Sequence, residues 1–541
     1  MPNPSVVDTT NLLTILSVLV AVGALITQTD KLRLRFCMAW YDYSLGIAVF
    51  LLIHYLVFAP VLDNLGLYYS FGHWKWGLDS SSAVYLILLL FSGYFLYRTK
   101  APKIVRGKIH IFKELVSNFI FTKRFDELVL LVEPQLKKLI SISEGESYFD
   151  RFYAKHYRHS FDMNAFINGE KQPDLSELDK LVNLLLDKIK VKVERSSVQA
   201  REVLFNLVTS PELTENLAVN HPYFGLKLLK SDEALREDFI SPYVDALLSD
   251  NRGRLYVELK NNQQIRRGGR LWIPENNKLL HSFFSDSEMA AKSGIYKAIG
   301  ESVCRKLNEN QNLVNHLNKP LGSSSDAGRY SCPISSGITL FQIMVNEGIH
   351  QGLQDHLWLH YYYYFTKDIL NQMVILPESD DEAEFPTRFH YLLYRMINIS
   401  TEWVEQCYWI DEQEIQEKTR LKDGFDRDYI SKEATKVLGN MLESLIESEK
   451  LSDQFKAYLL RNIVICYRDI SQRDDLEDMS DALIRSLITG DYMPRKHHYL
   501  AKLDDIFQQI EDDYLKFEAK SFREFIQAQI TPEFDSFDEY C

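Results

Sequence analysis

The chain has 541 residues, of which 46% are apolar, 25% charged and 13% aromatic. These values exclude a wholly disordered, collagen-like or disulfide-scaffold chain, and the length accommodates about three or four domain-sized units. Sixty-one basic against 75 acidic residues leave a net charge of −14, which argues against a general nucleic-acid binder because the phosphate backbone rewards clustered Lys and Arg.

The long apolar runs concentrate in the first hundred residues. They cover about 11–27, 44–62 and 81–97, each 17–19 residues long, close to what a helix needs to cross a hydrocarbon core of about 30 Å. Residues 1–10 carry no Lys or Arg, so the first run lacks the basic lead of a signal peptide and reads as an uncleaved span. Lys31, Arg33 and Arg35 follow the first run, and Arg98, Lys100, Lys103, Arg106, Lys108 and Lys113 follow the third. The loop between the second and third runs holds only Lys75 against Asp63 and Asp79. This asymmetry predicts an outside N-terminus and a cytoplasmic region after Tyr97. His54 is the one strongly polar side chain well inside a run. It is a functional candidate, or simply a hydrogen-bonding partner for a neighbouring helix. Pro60 marks the exit of the second span.

The expected fold is mainly α: three N-terminal transmembrane helices, then an irregular array of packed cytoplasmic helices. Helical apolar spacing recurs at 109–121, 125–140, 175–193, 198–208, 336–376, 389–416, 430–446, 453–469 and 476–487. A hairpin is predicted from Arg254–Lys260 through the Gly268-Gly269 turn to Leu271–Ile273. Ser210-Pro211, His221-Pro222 and Ser241-Pro242 read as helix starts. No fixed repeat period is present, which argues against a named repeat family. The organisation this implies is a membrane domain over 1–100, a first helical domain over 101–320, a Gly/Ser/Pro-rich linker at 321–336, and a second helical domain over 337–541 ending in an acidic stretch. The last 41 residues hold 11 acidic and 4 basic side chains, a net of −7.

Three groups of residues are candidates for chemistry. Glu347, His350, His356 and His360 carry Glu-x-x-His and His-x-x-x-His spacings, and His356 and His360 share a helix face as a possible metal pair. One straight helix cannot converge all four, and HLWLH lacks the Glu of H-E-x-x-H. Ser323, Ser324, Ser325 and Cys332 offer nucleophiles, but without a G-x-S-x-G context. Arg266, Arg267 and Arg270, around two glycines, form a candidate anion site, since Arg forks bind phosphate bidentately. The six cysteines include no C-x-x-C pair, and no P-loop, dinucleotide or kinase signature occurs, so no cofactor is implied.

The sequence therefore points to a bacterial inner-membrane protein with a non-enzymatic sensor or scaffold role. Its partners would be the lipid bilayer, a second copy through the membrane helices, and a cytoplasmic protein or small anion. Two alternatives stand beside this: an oligomeric pore effector gated by the cytoplasmic region, and a membrane-bound metal-dependent hydrolase.

Overall fold

The computed structural model describes residues 36–67, 80–100, 103–144, 148–157, 176–229, 233–263, 266–267, 269–321, 331–355, 358–375, 385–410, 424–491 and 493–530. It is mainly helical, 80% helix with almost no strand. The chain divides into two compact units, Met1–Leu213 and Thr214–Cys541.

The first unit opens with α1 (Trp40–Val57), α2 (Ala59–Asn64) and α3 (Ser80–Lys100). Among the described residues α1 is the one helix long and apolar enough to cross a membrane, and only 6% of it is buried. A core helix of a soluble protein would be mostly buried. The three-span expectation is corrected accordingly. The run at 11–27 lies outside the described residues. The span expected at 44–62 begins earlier, at Trp40, and breaks near Phe58–Pro60, because Pro60 lacks the N–H that a continuing helix would use. The third is a 21-residue helix whose apolar stretch is shorter, Ala83–Tyr94. At 1.5 Å per residue that stretch covers about 18 Å, short of a hydrocarbon core of about 30 Å.

The remainder of this unit is a small bundle: α4 (Ile109–Phe121), α5 (Phe125–Val132), α6 (Leu136–Ser143), α7 (Tyr148–His156) and the 32-residue α8 (Glu177–Val208). The run read as 125–140 is interrupted by a short 3₁₀ turn at Glu133–Gln135, where Pro134 removes a backbone donor. The two runs read as 175–193 and 198–208 are one helix, started by the Ser176 hydroxyl accepting from Asp179 N at 3.1 Å. Its C-terminal half packs on α4 and α6 through Ala200, Val203 and Leu207, all fully buried with Phe112, Leu115 and Leu139.

The second unit runs α9 (Pro211–Asn220), α10 (Pro222–Leu228), α11 (Glu233–Ser249), α12 (Arg254–Asn262), the hairpin β1 (Arg266–Arg267) and β2 (Arg270–Leu271), α13 (Lys278–Phe284), α14 (Ser287–Ser293), α15 (Ile295–Glu309), α16 (Gln311–Leu317), α17 (Pro333–His350), α18 (His360–Gln372), α19 (Arg388–Glu405), α20 (Tyr429–Glu447), α21 (Asp453–Ser471), α22 (Glu477–Ile484), a π-helical turn at Arg485–Thr489, α23 (His497–Gln508), α24 (Asp513–Glu518) and α25 (Lys520–Ile530). Pro211 and Pro222 start helices as expected. Pro242 does not; it lies inside α11. Phe239 and Tyr243, both fully buried and stacked at 5.0 Å, hold the chain helical through it, so packing overrides the local preference. The hairpin is likewise shorter than expected, because residues 254–262 form α12.

The centre of this unit is α17, buried along almost its whole length. It packs against α15, α19, α20 and β2, so the Gly/Ser/Pro-rich stretch at 321–336, of which 322–330 lie outside the described residues, falls between helices of one unit. Around α17 the rings of Phe341, Tyr362, Phe365 and Trp403 interlock, with Tyr362 and Trp403 at 4.6 Å. Each such fully buried aromatic contributes roughly 1.5–3 kcal/mol by leaving water.

Candidate functional site

Where α20 passes the π-turn, the two backbones lie unusually close. A π-turn adds a residue to the helix and leaves backbone carbonyls without their usual partners. Here the Ser486 carbonyl accepts from Arg495 Nη2 at 2.5 Å and Nε at 3.2 Å. Gly439 of α20 makes the approach possible: a Cβ there would press into the Ser486 carbonyl and lie 2.8 Å from Arg495 Nη2. The fully buried Ser486 hydroxyl sits 3.1 Å from Thr435 Oγ1 and donates to Asp491 Oδ2 at 2.9 Å. Arg495 also binds Glu443 at 2.5 Å and Asn440 Oδ1 at 3.2 Å.

This arrangement forms one wall of a cleft of about 370 Å³ lined by His360, Glu433, Lys436, Asn440, Glu443, Asp491, Met493, Pro494, Arg495 and Lys496. Lys436 pairs with Glu433 at 2.5 Å. Cationic and anionic groups therefore both line the opening, and several of them pair with one another. Such a lining is suited to a small polar molecule carrying both signs of charge, with orientation set by which end meets which group.

The residues singled out from the sequence are distributed over different places. His360 begins α18 and lines this cleft. His356 lies outside the described residues. Glu347 and His350, on the last turns of α17, are engaged elsewhere: His350 Nε2 is 3.0 Å from Gln406 Oε1, and Glu347 takes Arg270 in a two-pronged pair, Nε to Oε1 at 3.0 Å and Nη2 to Oε2 at 2.6 Å. Among the described residues no group of three or more His, Cys, Asp or Glu is placed to hold a metal ion. Arg270 thus braces the hairpin onto α17. Leu271 N adds a bond to Asn346 Oδ1 at 2.8 Å, and Gly269, at φ +79°, turns beneath Trp409. Arg266 and Arg267 form β1, and their side chains lie outside the description. Cys332 sits at the start of α17, where burial pushes its thiol up. Burial likewise raises Cys304 and Cys407 to about 12. Thiols held protonated in this way are poor nucleophiles. Ser323, Ser324 and Ser325 lie outside the described residues.

In α1, His54 Nδ1 sits 2.9 Å from the Phe50 carbonyl one turn back, and its ring lies 4.0 Å from that of Phe50. Its own helix therefore engages that ring nitrogen. The polar feature that sequence reasoning missed joins the start of α1 to the end of α3. Asp42, only 3% exposed, accepts from Ala39 N at 2.6 Å, from Arg98 Nη2 at 2.8 Å and from Tyr94 Oη. Arg98 also donates to the Cys37 carbonyl at 2.9 Å. The signal was present as one acid just before the second apolar run and one base just after the third.

The fold and cleft define a mainly helical protein with a polar cleft and an exposed apolar helix. No known protein family, curated protein or solved structure matches this chain.

Proposed function

We propose that this chain is a membrane-anchored, non-enzymatic sensor. The α1–α3 hairpin sits in the bilayer, and the helical body binds a small zwitterionic ligand in the cleft beside the π-turn. The observation that carries the anchoring is the surface of α1, where Ile47, Phe50 and Leu51 face outward from a helix that is only 6% buried. Lipid is the solvent such a surface needs. Asp42 and Arg98 support the topology: they join the start of α1 to the end of α3, so both ends belong on one membrane face. The basic residues that follow Arg98 make that face cytoplasmic.

The sensing half of the proposal rests on the paired charges of both signs that line the cleft. Its test is a thermal melt of the full chain in lipid nanodiscs with free amino acids and with dipeptides as probes. A ligand at 100 times its Kd adds about 2.7 kcal/mol by mass action. The melting point is expected to rise with one probe class and to stop rising in the Lys436→Gln, Lys496→Gln double variant. A rise of equal size in that variant, or none in the unaltered chain, contradicts the assignment.

A further inference from the structure

We infer that the N-terminal half of α8 is a docking surface for a second copy of this chain, with the two helices antiparallel. The helix carries a stripe along one face. At about 100° per residue, positions 178, 185, 196, 200, 203 and 207 fall within a narrow arc. From Ser196 onward that stripe is buried against α4 and α6. Toward the N-terminus the same stripe runs out into the open: Leu178 is 77% exposed, Leu181 60% and Leu185 52%. These leucines recur at intervals of three and four, the spacing of a two-helix seam. Helix α7 does not cover them. It meets α8 on another face, where Tyr153 Oη lies 3.3 Å from Asp187 and Lys190 Nζ lies 5.0 Å from the Tyr153 ring.

The charges on this half-helix identify the occupant and its direction. Residues 177–187 hold Glu177, Asp179 and Asp187 against Lys180, a net of −2. Residues 188–195 hold three Lys and one Arg against Glu194, a net of +3. A second copy laid antiparallel sets the acidic half of each helix beside the basic half of the other. A parallel copy sets like against like. Glu177 and Lys188, eleven residues apart, fall on the same flank of the leucine seam, so each would meet the other's counterpart across a two-fold axis. Neither is committed to folding in a way that opposes this: among the described residues Glu177 pairs with the exposed Lys180 at 2.8 Å, a contact worth little in water.

The test is the association of the full chain in detergent micelles, followed by sedimentation across a dilution series. The unaltered chain is expected to dimerise. Glu177→Lys and Lys188→Glu should each raise the dimer dissociation constant at least ten-fold, and the double variant carrying both should return it to within about three-fold of the original. Leu181→Asp with Leu185→Asp should leave a monomer. If that leucine variant fails to fold, as judged by circular dichroism, the charge exchange decides alone, because both charged residues are exposed. A monomeric unaltered chain overturns the inference. So does a dimer indifferent to the single exchanges, which would place association elsewhere, or a double exchange that fails to restore it.

Discussion

At the scale of single residues, the clearest consequence of the fold is the state of Glu405. It closes α19 and sits against Asp469, Glu402 and Cys466; burial first, then Asp469 and Glu402, push its carboxyl up to about 7. The negative end of the helix dipole acts in the same direction. The folded state therefore holds this proton more tightly than the unfolded chain does. The stability that protonated Glu405 contributes is fully present below the ordinary Glu value and is lost as pH rises through about 7. Glu405→Gln is expected to change the denaturation midpoint little at pH 5 and to stabilise the protein at pH 8 by up to about 3 kcal/mol. Urea titrations at the two pH values measure this, and equal effects at both contradict the assignment. Gly439 gives a prediction of opposite sign. Gly439→Ala must displace the Ser486 carbonyl or the Arg495 guanidinium, and is expected to cost about 1–3 kcal/mol in the same titration. A neutral result would mean that the two backbones do not meet as described.

At the scale of elements, the hairpin depends on one polar knot at its end. Asp42→Ala leaves the Arg98 guanidinium, which is only 16% exposed, without its carboxylate. Breaking a buried pair in this way costs about 3–5 kcal/mol. The expected result is a lower melting temperature for the full chain in detergent, with partial recovery in the Asp42→Ala, Arg98→Leu double variant. An additive double variant would mean that the two residues act independently. Helices were also the most legible level of the sequence. The run read at 109–121 is α4 residue for residue, and 430–446 and 453–469 fall within one or two residues of α20 and α21. Their apolar residues repeat with the helical period and their neighbours do not compete. Reading failed where tertiary contacts overrule the local signal. Pro242 is carried through a helix by its buried aromatic neighbours. The run read as 336–376 breaks into α17 and α18 at Gly352, whose φ of +66° ends a helix cheaply. The cleft was less legible than the helices. Only His360 among its lining was singled out, because it, Glu433 and Glu443 of α20, and Asp491 after the π-turn come from three separate segments and have no motif spacing.

At the scale of the whole molecule, the proposed function joins two parts of different chemistry: an apolar hairpin, assigned to lipid, and a helical body with a charged cleft, assigned to a polar ligand. Its central claim is that the hairpin holds the chain in a bilayer. The most direct measurement is extraction of the full chain, reconstituted in phospholipid vesicles, with alkaline carbonate. Peripheral proteins leave the membrane under that treatment, whereas a helix with its apolar faces in hydrocarbon stays. The chain is expected to remain with the vesicles on flotation. Its release as a folded, detergent-free protein would contradict the claim, and with it the reading of α1 as a span.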